Sequence, residues 1–173
     1  MNAIKALFLN ARPWQLFVLL LVAPMLIQFT AIIFPSMYVF VVVSFAYLLC
    51  VLAWLWSMGS FLSSVAPSEI KSKFRFFCFT LLFPLFYTPA LLWFALTRAN
   101  VPGAVIAILH LFAMYCMFYA LNFVAKTLVT VQTGRLASFQ DYAGQFLLLW
   151  FFPIGVWVIQ PKISRLYQHL SNT

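Results

Sequence analysis

Side chains that could do chemistry are few in this chain of 173 residues, and they are widely spaced. Glu69 and Asp141 are its only acids, His110 and His169 its only histidines, and its three cysteines show no C-x-x-C spacing. A zinc-protease motif, a phosphate-binding glycine loop or a Ser/His/Asp arrangement would need recognisable spacings of such groups. None is present, so we expect no catalytic residues, no metal and no cofactor.

His110 is the best single candidate for function because it lies within a long apolar run. An ionisable residue inside a membrane span is a functional hypothesis by default. A relay or metal site would need a second member, and no predicted span contains a carboxylate. The alternative is a neutral imidazole that is hydrogen-bonded to a neighbouring helix.

Asn122 follows His110 by twelve residues on the same predicted helix. That spacing puts the two side chains about 120° and three turns apart, so they cannot form one site. We expect Asn122 to make an interhelical hydrogen bond.

The composition indicates a membrane protein. Hydrophobic residues make up 66% of the chain and charged residues only 7%, whereas soluble domains carry about 25% charged residues. We therefore predict an all-α polytopic membrane protein, in which residues 1–173 form one domain.

Hydrophobic runs and turn residues predict four transmembrane helices, at about 14–34, 37–62, 76–96 and 104–125. An amphipathic pattern over 3–12 predicts a helix lying in the membrane interface. The fourth helix is expected to continue into 126–140 and to turn near Gly134.

A fifth apolar segment, 146–159, is short. As a helix it would rise about 21 Å, against a hydrocarbon core of about 30 Å. It either crosses a locally thinned bilayer or enters and returns on the same side. Length and flanking charge favour the re-entrant arrangement, with a bend at Pro153 and Gly155.

The net charge of +8 comes from cations that lie mainly in the connections between apolar runs. With a cytoplasmic N-terminus, seven of the Lys and Arg residues before the fifth segment are cytoplasmic and only Arg98 is outside. This bias predicts attraction to anionic lipids and a cytoplasmic C-terminus. It does not predict nucleic-acid binding, which needs a basic face on a soluble surface.

Polar residues flank the fifth segment. Asp141 is expected to cap the N-terminus of a helix and to pair with Arg135. Gln145 and Gln160 fall near the segment ends, where we expect contact with water.

Several stretches resemble a group of small, uncharacterised bacterial polytopic membrane proteins. They are AKTL at 125–128, FQDYAG at 139–144, WFFPIGVWVIQPKI at 150–163 and RPWQLF at 12–17. The resemblance implies placement in a bacterial inner membrane and carries no activity.

Together these features predict a non-catalytic membrane subunit or interaction protein, with a protein partner or a second copy of itself. A homo-oligomeric pore or a transporter of small solutes or lipids is the alternative. A membrane enzyme or a lipid- or quinone-binding protein is the third possibility.

Overall fold

The computed structural model describes residues 3–33, 37–97 and 101–171, and this part of the chain is helical, without a β-strand. Nine α-helices and one π-helical segment follow each other along it. They are α1 Ala3–Asn10, α2 Pro13–Phe17, the π-helical segment Val18–Val22, α3 Ala23–Ile33, α4 Met37–Val65, α5 Ser68–Lys71, α6 Phe74–Thr97, α7 Gly103–Thr133, α8 Phe139–Trp150 and α9 Phe152–Ser171.

Three helical stretches are long and apolar enough to cross a membrane: Phe40–Val65, Ser68–Phe94 and Gly103–Thr133. They match the second, third and fourth predicted spans. A fourth crossing is possible if α1 and the helix starting at Pro13 count as one span, although the two bend by 108°. The predicted connection at 35–36 and Arg98 lie outside the described residues.

The chain turns sharply between α1 and α2. Pro13 takes the first position of α2, where its missing N–H is not needed. The backbone N–H of Arg12 donates to Gln15 Oε1 at 2.8 Å and so closes the start of the helix.

Pro24 does not end its helix, and the turn before it departs from α-helical bonding. The N–H of Ala23 bonds instead to the carbonyl of Val18, five residues back, within a π-helical turn. A wider turn relieves the clash between the proline ring and the preceding turn of the helix.

α7 ends at Gly134, as predicted. Gly134 has a φ of 69°, in the left-handed region that glycine adopts without strain. The chain then returns along α7, where the N–H of Ala137 donates to Thr130 Oγ1 at 3.1 Å.

The predicted fifth segment is not a single helix. It is divided between α8 and α9, and the break lies at Phe151 rather than at Pro153 and Gly155. Pro153 lies in the first turn of α9, where the lack of an N–H is tolerated. The carbonyl of Phe151 accepts bonds from the N–H groups of Ile154 and Gly155 and starts the new helix.

α8 and α9 form a tight antiparallel hairpin. Gly155 on α9 packs directly on the backbone of Leu148 on α8, and a Cβ at this glycine would overlap the Leu148 carbonyl. Only glycine permits two helices to approach this closely after so short a turn.

The tip of the hairpin lies part-way along the bundle. Trp150 stacks on Phe118 of α7, with ring centroids 3.7 Å apart, and Phe118 precedes the end of α7 by about 22 Å. At the other end, Tyr167 of α9 packs edge-on against Phe61 near the end of α4, at 5.2 Å. The start of α8 and the end of α9 therefore lie at the same end of the bundle. This is the basic end, which also holds the basic connections.

Packing is tight around the hairpin and loose beyond its tip. In the tight half, Phe77 lies against Gly59, where any Cβ would overlap its ring, and stacks on Phe123 at 4.6 Å. In the other half most side chains at the start of α7 are exposed, among them Ile108 and Leu111. The hairpin fills only one half of the space beside the long helices.

Candidate ligand-binding cavity

A cavity of about 400 Å³ begins at the tip of the α8–α9 hairpin. Its walls come from α4, α6, α7 and the π-helical segment, and residues at the hairpin tip form its floor. Along α7 the lining extends from Leu121 back to His110, eleven residues and about 17 Å. The volume lies in the usual range for small-molecule sites, about 300–1,000 Å³.

Most of the cavity lining is apolar. Leucine, methionine and aromatic side chains dominate, and the described lining residues include no Lys, Arg, Asp or Glu. Such walls are suited to an uncharged, largely hydrocarbon molecule, because they offer a buried charge no partner.

Tyr87, Thr88 and His110 are polar lining residues on α6 and α7, and Tyr47 is another on α4. The Tyr87 hydroxyl and His110 Nδ1 are 3.4 Å apart, and Thr88 adjoins Tyr87. His110 is also exposed on the bundle surface, so this pair stands at an opening of the cavity. His110 therefore has a hydrogen-bonding neighbour, Tyr87, on another helix. The alternative interpretation of His110, a neutral imidazole hydrogen-bonded to a neighbouring helix, requires such a neighbour.

The polar side chains that line the cavity are suited to hydrogen bonding. No carboxylate lines the cavity, and the described residues contain no group of three or more His, Cys, Asp or Glu that could hold a metal ion. A general acid or base would need a partner of matched pKa within hydrogen-bond reach. The Tyr87–His110 pair can donate and accept hydrogen bonds.

Gln160 lies beneath the cavity floor and is fully buried. Its Nε2 donates to the carbonyl oxygens of Phe8 at 2.8 Å and Ala11 at 3.2 Å, and contacts Ser164 Oγ at 3.4 Å. Its Oε1 accepts a bond of 3.3 Å from the indole of Trp54, which lines the cavity. One amide thus joins α9, α4 and the bend after α1.

The expectation that Gln160 contacts water was wrong. The end of α1 leaves backbone carbonyls without helical partners, and Gln160 together with Ser164, which donates to the Leu9 carbonyl at 2.7 Å, satisfies them. Sequence alone could not pair positions 149 to 155 residues apart. The available clue was the Gln160–Ser164 spacing of four, which puts both polar groups on one face of a helix.

Arg135 and Asp141 form the predicted pair, away from the cavity. Two guanidinium nitrogens of Arg135 lie 3.0 and 3.1 Å from the two carboxylate oxygens of Asp141. Both the N–H and the hydroxyl of Ser138 donate to Asp141 Oδ2 at 2.8 Å, so the carboxylate caps the start of α8. The Arg135 hydrogen bonds, and then those from Ser138, lower the pKa of Asp141 to about 2.

The remaining candidates lie outside the cavity lining. Asn122 Oδ1 is buried and has no hydrogen-bond partner among the described residues, contrary to the expected interhelical bond. Gln145 is half-buried on α8. Gly155 and Pro153 shape the hairpin, and their role is structural.

Compared with known proteins, the chain matches no family model, no curated protein and no solved structure. The resemblance to small bacterial membrane proteins therefore stays a prediction.

Proposed function

We propose that this protein is a non-catalytic, membrane-embedded protein that holds an uncharged, lipid-like molecule in the cavity above the α8–α9 hairpin. The observation that carries the proposal is the cavity itself: about 400 Å³, walled by apolar side chains from several helices, with a hydrogen-bonding pair at one opening. Lipid binding, third among the possibilities from sequence, is the one that this cavity favours.

The proposed membrane arrangement has four crossings and a re-entrant hairpin. The first crossing is the bent path from α1 through α3, followed by α4, α6 and α7. The hairpin enters and leaves at the basic end, which supports the re-entrant alternative for 146–159. We place this end, with both termini, on the cytoplasmic side of a bacterial inner membrane, where cationic loops and anionic lipids are expected to meet.

A second candidate function is the expected one of a subunit or interaction protein, and one observation favours it. An apolar groove of about 420 Å³ runs between α4 and α6, lined by residues such as Phe45, Leu49 and Trp93. Apolar side chains from a transmembrane helix of a partner protein, or of a second copy, could pack into this groove. The pore or transporter alternative would require this contact to be between copies.

Lipid extraction tests the proposed function. The protein is purified in a mild detergent, and bound molecules are extracted and quantified by mass spectrometry. We expect an uncharged lipid in stoichiometric amount, and loss of most of it in Ala113→Trp, because Ala113 lines the cavity and is buried.

The matched control is Ala104→Trp, since Ala104 is exposed on the same helix and does not line the cavity. It should retain the bound lipid. Should Ala113→Trp not fold, Met117→Trp narrows the same cavity from one turn further along. Recovery of no stoichiometric lipid, or of equal amounts from filled and control variants, would refute the proposal.

A further inference from the structure

We infer that the cavity recognises the carbonyl oxygen of its ligand, which the Tyr87–His110 pair binds as a hydrogen-bond donor. This inference rests on the proposed function and adds the chemical class of the ligand: an uncharged apolar molecule with a carbonyl group at one end. Quinones and ester lipids both have this chemistry.

A neutral His110 has two tautomers. If Nδ1 is unprotonated, the Tyr87 hydroxyl donates to it across 3.4 Å, and the Nε2–H of the ring is free. If Nδ1 carries the proton, it donates to the Tyr87 oxygen, and the hydroxyl hydrogen is free. In each tautomer, one hydrogen-bond donor of the pair is therefore not used in the Tyr87–His110 hydrogen bond.

A free donor in apolar surroundings favours an acceptor on the ligand. A polar group that loses water on ligand binding needs a new hydrogen bond, because leaving it unpaired is costly. A carbonyl oxygen satisfies the donor in either tautomer. The described lining contains no Lys or Arg that would select an anionic head group.

The position of the pair orients the ligand. His110 lies seven residues, or about 10 Å, after the start of α7, and the hairpin tip with Trp150 lies at the opposite end of the cavity. The carbonyl group therefore binds towards the non-basic end of the bundle. The hydrocarbon tail extends towards the hairpin tip and contacts Leu149 and Phe152.

Fluorescence titration of the purified full chain in detergent tests this inference. A benzoquinone with a ten-carbon tail is the first probe, because Trp54 and Trp150 line the cavity and a bound quinone quenches their emission. A short-chain diacylglycerol and an alkylbenzene of matched tail length compete for the site. Only the first of these competitors contains carbonyl groups.

The double variant Tyr87→Phe/His110→Phe removes both possible donors while keeping two aromatic rings. We expect quinone and diacylglycerol to bind it about fivefold to tenfold more weakly, as for the loss of one neutral hydrogen bond. Alkylbenzene affinity should not change. Tyr47→Phe is the matched control, since it removes a hydroxyl from the same cavity at a position outside the pair.

Each outcome of the titration is informative. Displacement of the quinone by diacylglycerol supports carbonyl recognition with an ester lipid as a source, and quinone binding alone supports a quinone as the source. Equal affinity of alkylbenzene and quinone, unchanged in the double variant, overturns carbonyl recognition and leaves the lipid-binding proposal intact. Binding of none of the probes overturns both.

Discussion

Trp54 and Gln160 lie 106 residues apart in the chain and share a hydrogen bond of 3.3 Å in the buried core. Trp54 faces the cavity, while the nitrogen of the Gln160 amide faces the carbonyl groups at the end of α1. This pair connects a wall of the candidate binding site to α1 and α9.

Gln160→Leu should strongly destabilise the fold. The substitution leaves the Phe8 carbonyl and the Trp54 indole N–H buried without their partner, at about 1–3 kcal/mol for each group. We expect a total loss near 3 kcal/mol, measured by thermal or denaturant unfolding in detergent. Gln145→Leu is the control, because Gln145 is only half-buried and makes no hydrogen bond with a described residue; its effect should stay within about 0.5 kcal/mol. Equal effects of the two substitutions would contradict the role of Gln160.

Two glycine substitutions should act in opposite directions on the hairpin. Gly155→Ala forces a methyl group into the Leu148 carbonyl and should cost about 3 kcal/mol or more, since backbone has to move. Gly144→Ala, in open space within α8, should stabilise the protein by about 0.5–1 kcal/mol through helix propensity. Unfolding in detergent measures both, and a stable Gly155→Ala protein would show that the hairpin is looser than described.

The Arg135–Asp141 pair predicts a specific acid sensitivity. Folding lowers the pKa of Asp141 from 3.8 to about 2, so the folded state favours the ionised carboxylate. Its contribution to stability is therefore complete above about pH 4 and is lost as the pH falls towards 2. Unfolding curves between pH 7 and pH 2 should show this loss in the wild type and in Glu69→Gln, and a smaller loss in Asp141→Asn. The same acid loss in all three proteins would exclude Asp141 as the cause.

Asn122→Leu should raise stability. The Asn122 Oδ1 atom is buried without a partner among the described residues, and leucine is of similar size without an unsatisfied oxygen. We expect a gain of about 1 kcal/mol by unfolding in detergent, and little change for Asn10→Leu, where the asparagine is exposed at the end of α1. A loss of stability would contradict the description of Asn122 Oδ1 as a buried oxygen without a partner.

Cysteine labelling checks the re-entrant arrangement. In a chain whose native cysteines are replaced by alanine, a membrane-impermeant maleimide should label His169→Cys and Ser72→Cys from the same side. Gly103→Cys, at the start of α7, should react from the other side. All three positions are described and exposed. Labelling of His169→Cys together with Gly103→Cys would mean that the α8–α9 segment crosses the membrane.

Local patterns predicted much of the fold. Long apolar runs marked the three helices that could span a membrane, Gly134 marked the end of α7, and Asp141, expected to cap a helix and pair with Arg135, marked the start of α8. Each of these features depends on residues close together in sequence. Propensity, helix caps and length therefore suffice to predict them.

Long-range contacts could not be predicted in this way. The bend was expected at Pro153 and Gly155, yet proline is well placed in the first turn of a helix, and Gly155 is required by the contact with Leu148. Tyr87 and His110 lie on different helices, and their meeting depends on how α6 and α7 pack. The cavity arises because the tip of the hairpin lies part-way along the bundle. How far the hairpin reaches depends on how several helices pack, and no single sequence segment specifies it.

The contact between Gln160 and α1 has a consequence for the order of events during synthesis. α1 leaves the ribosome before α9, and its terminal carbonyls obtain their side-chain partners only after residues 160 and 164 have been made. Until then this bend remains incompletely bonded at the membrane. The end of α1 is thus completed by α9, so this part of the bundle closes only after α9 has been made.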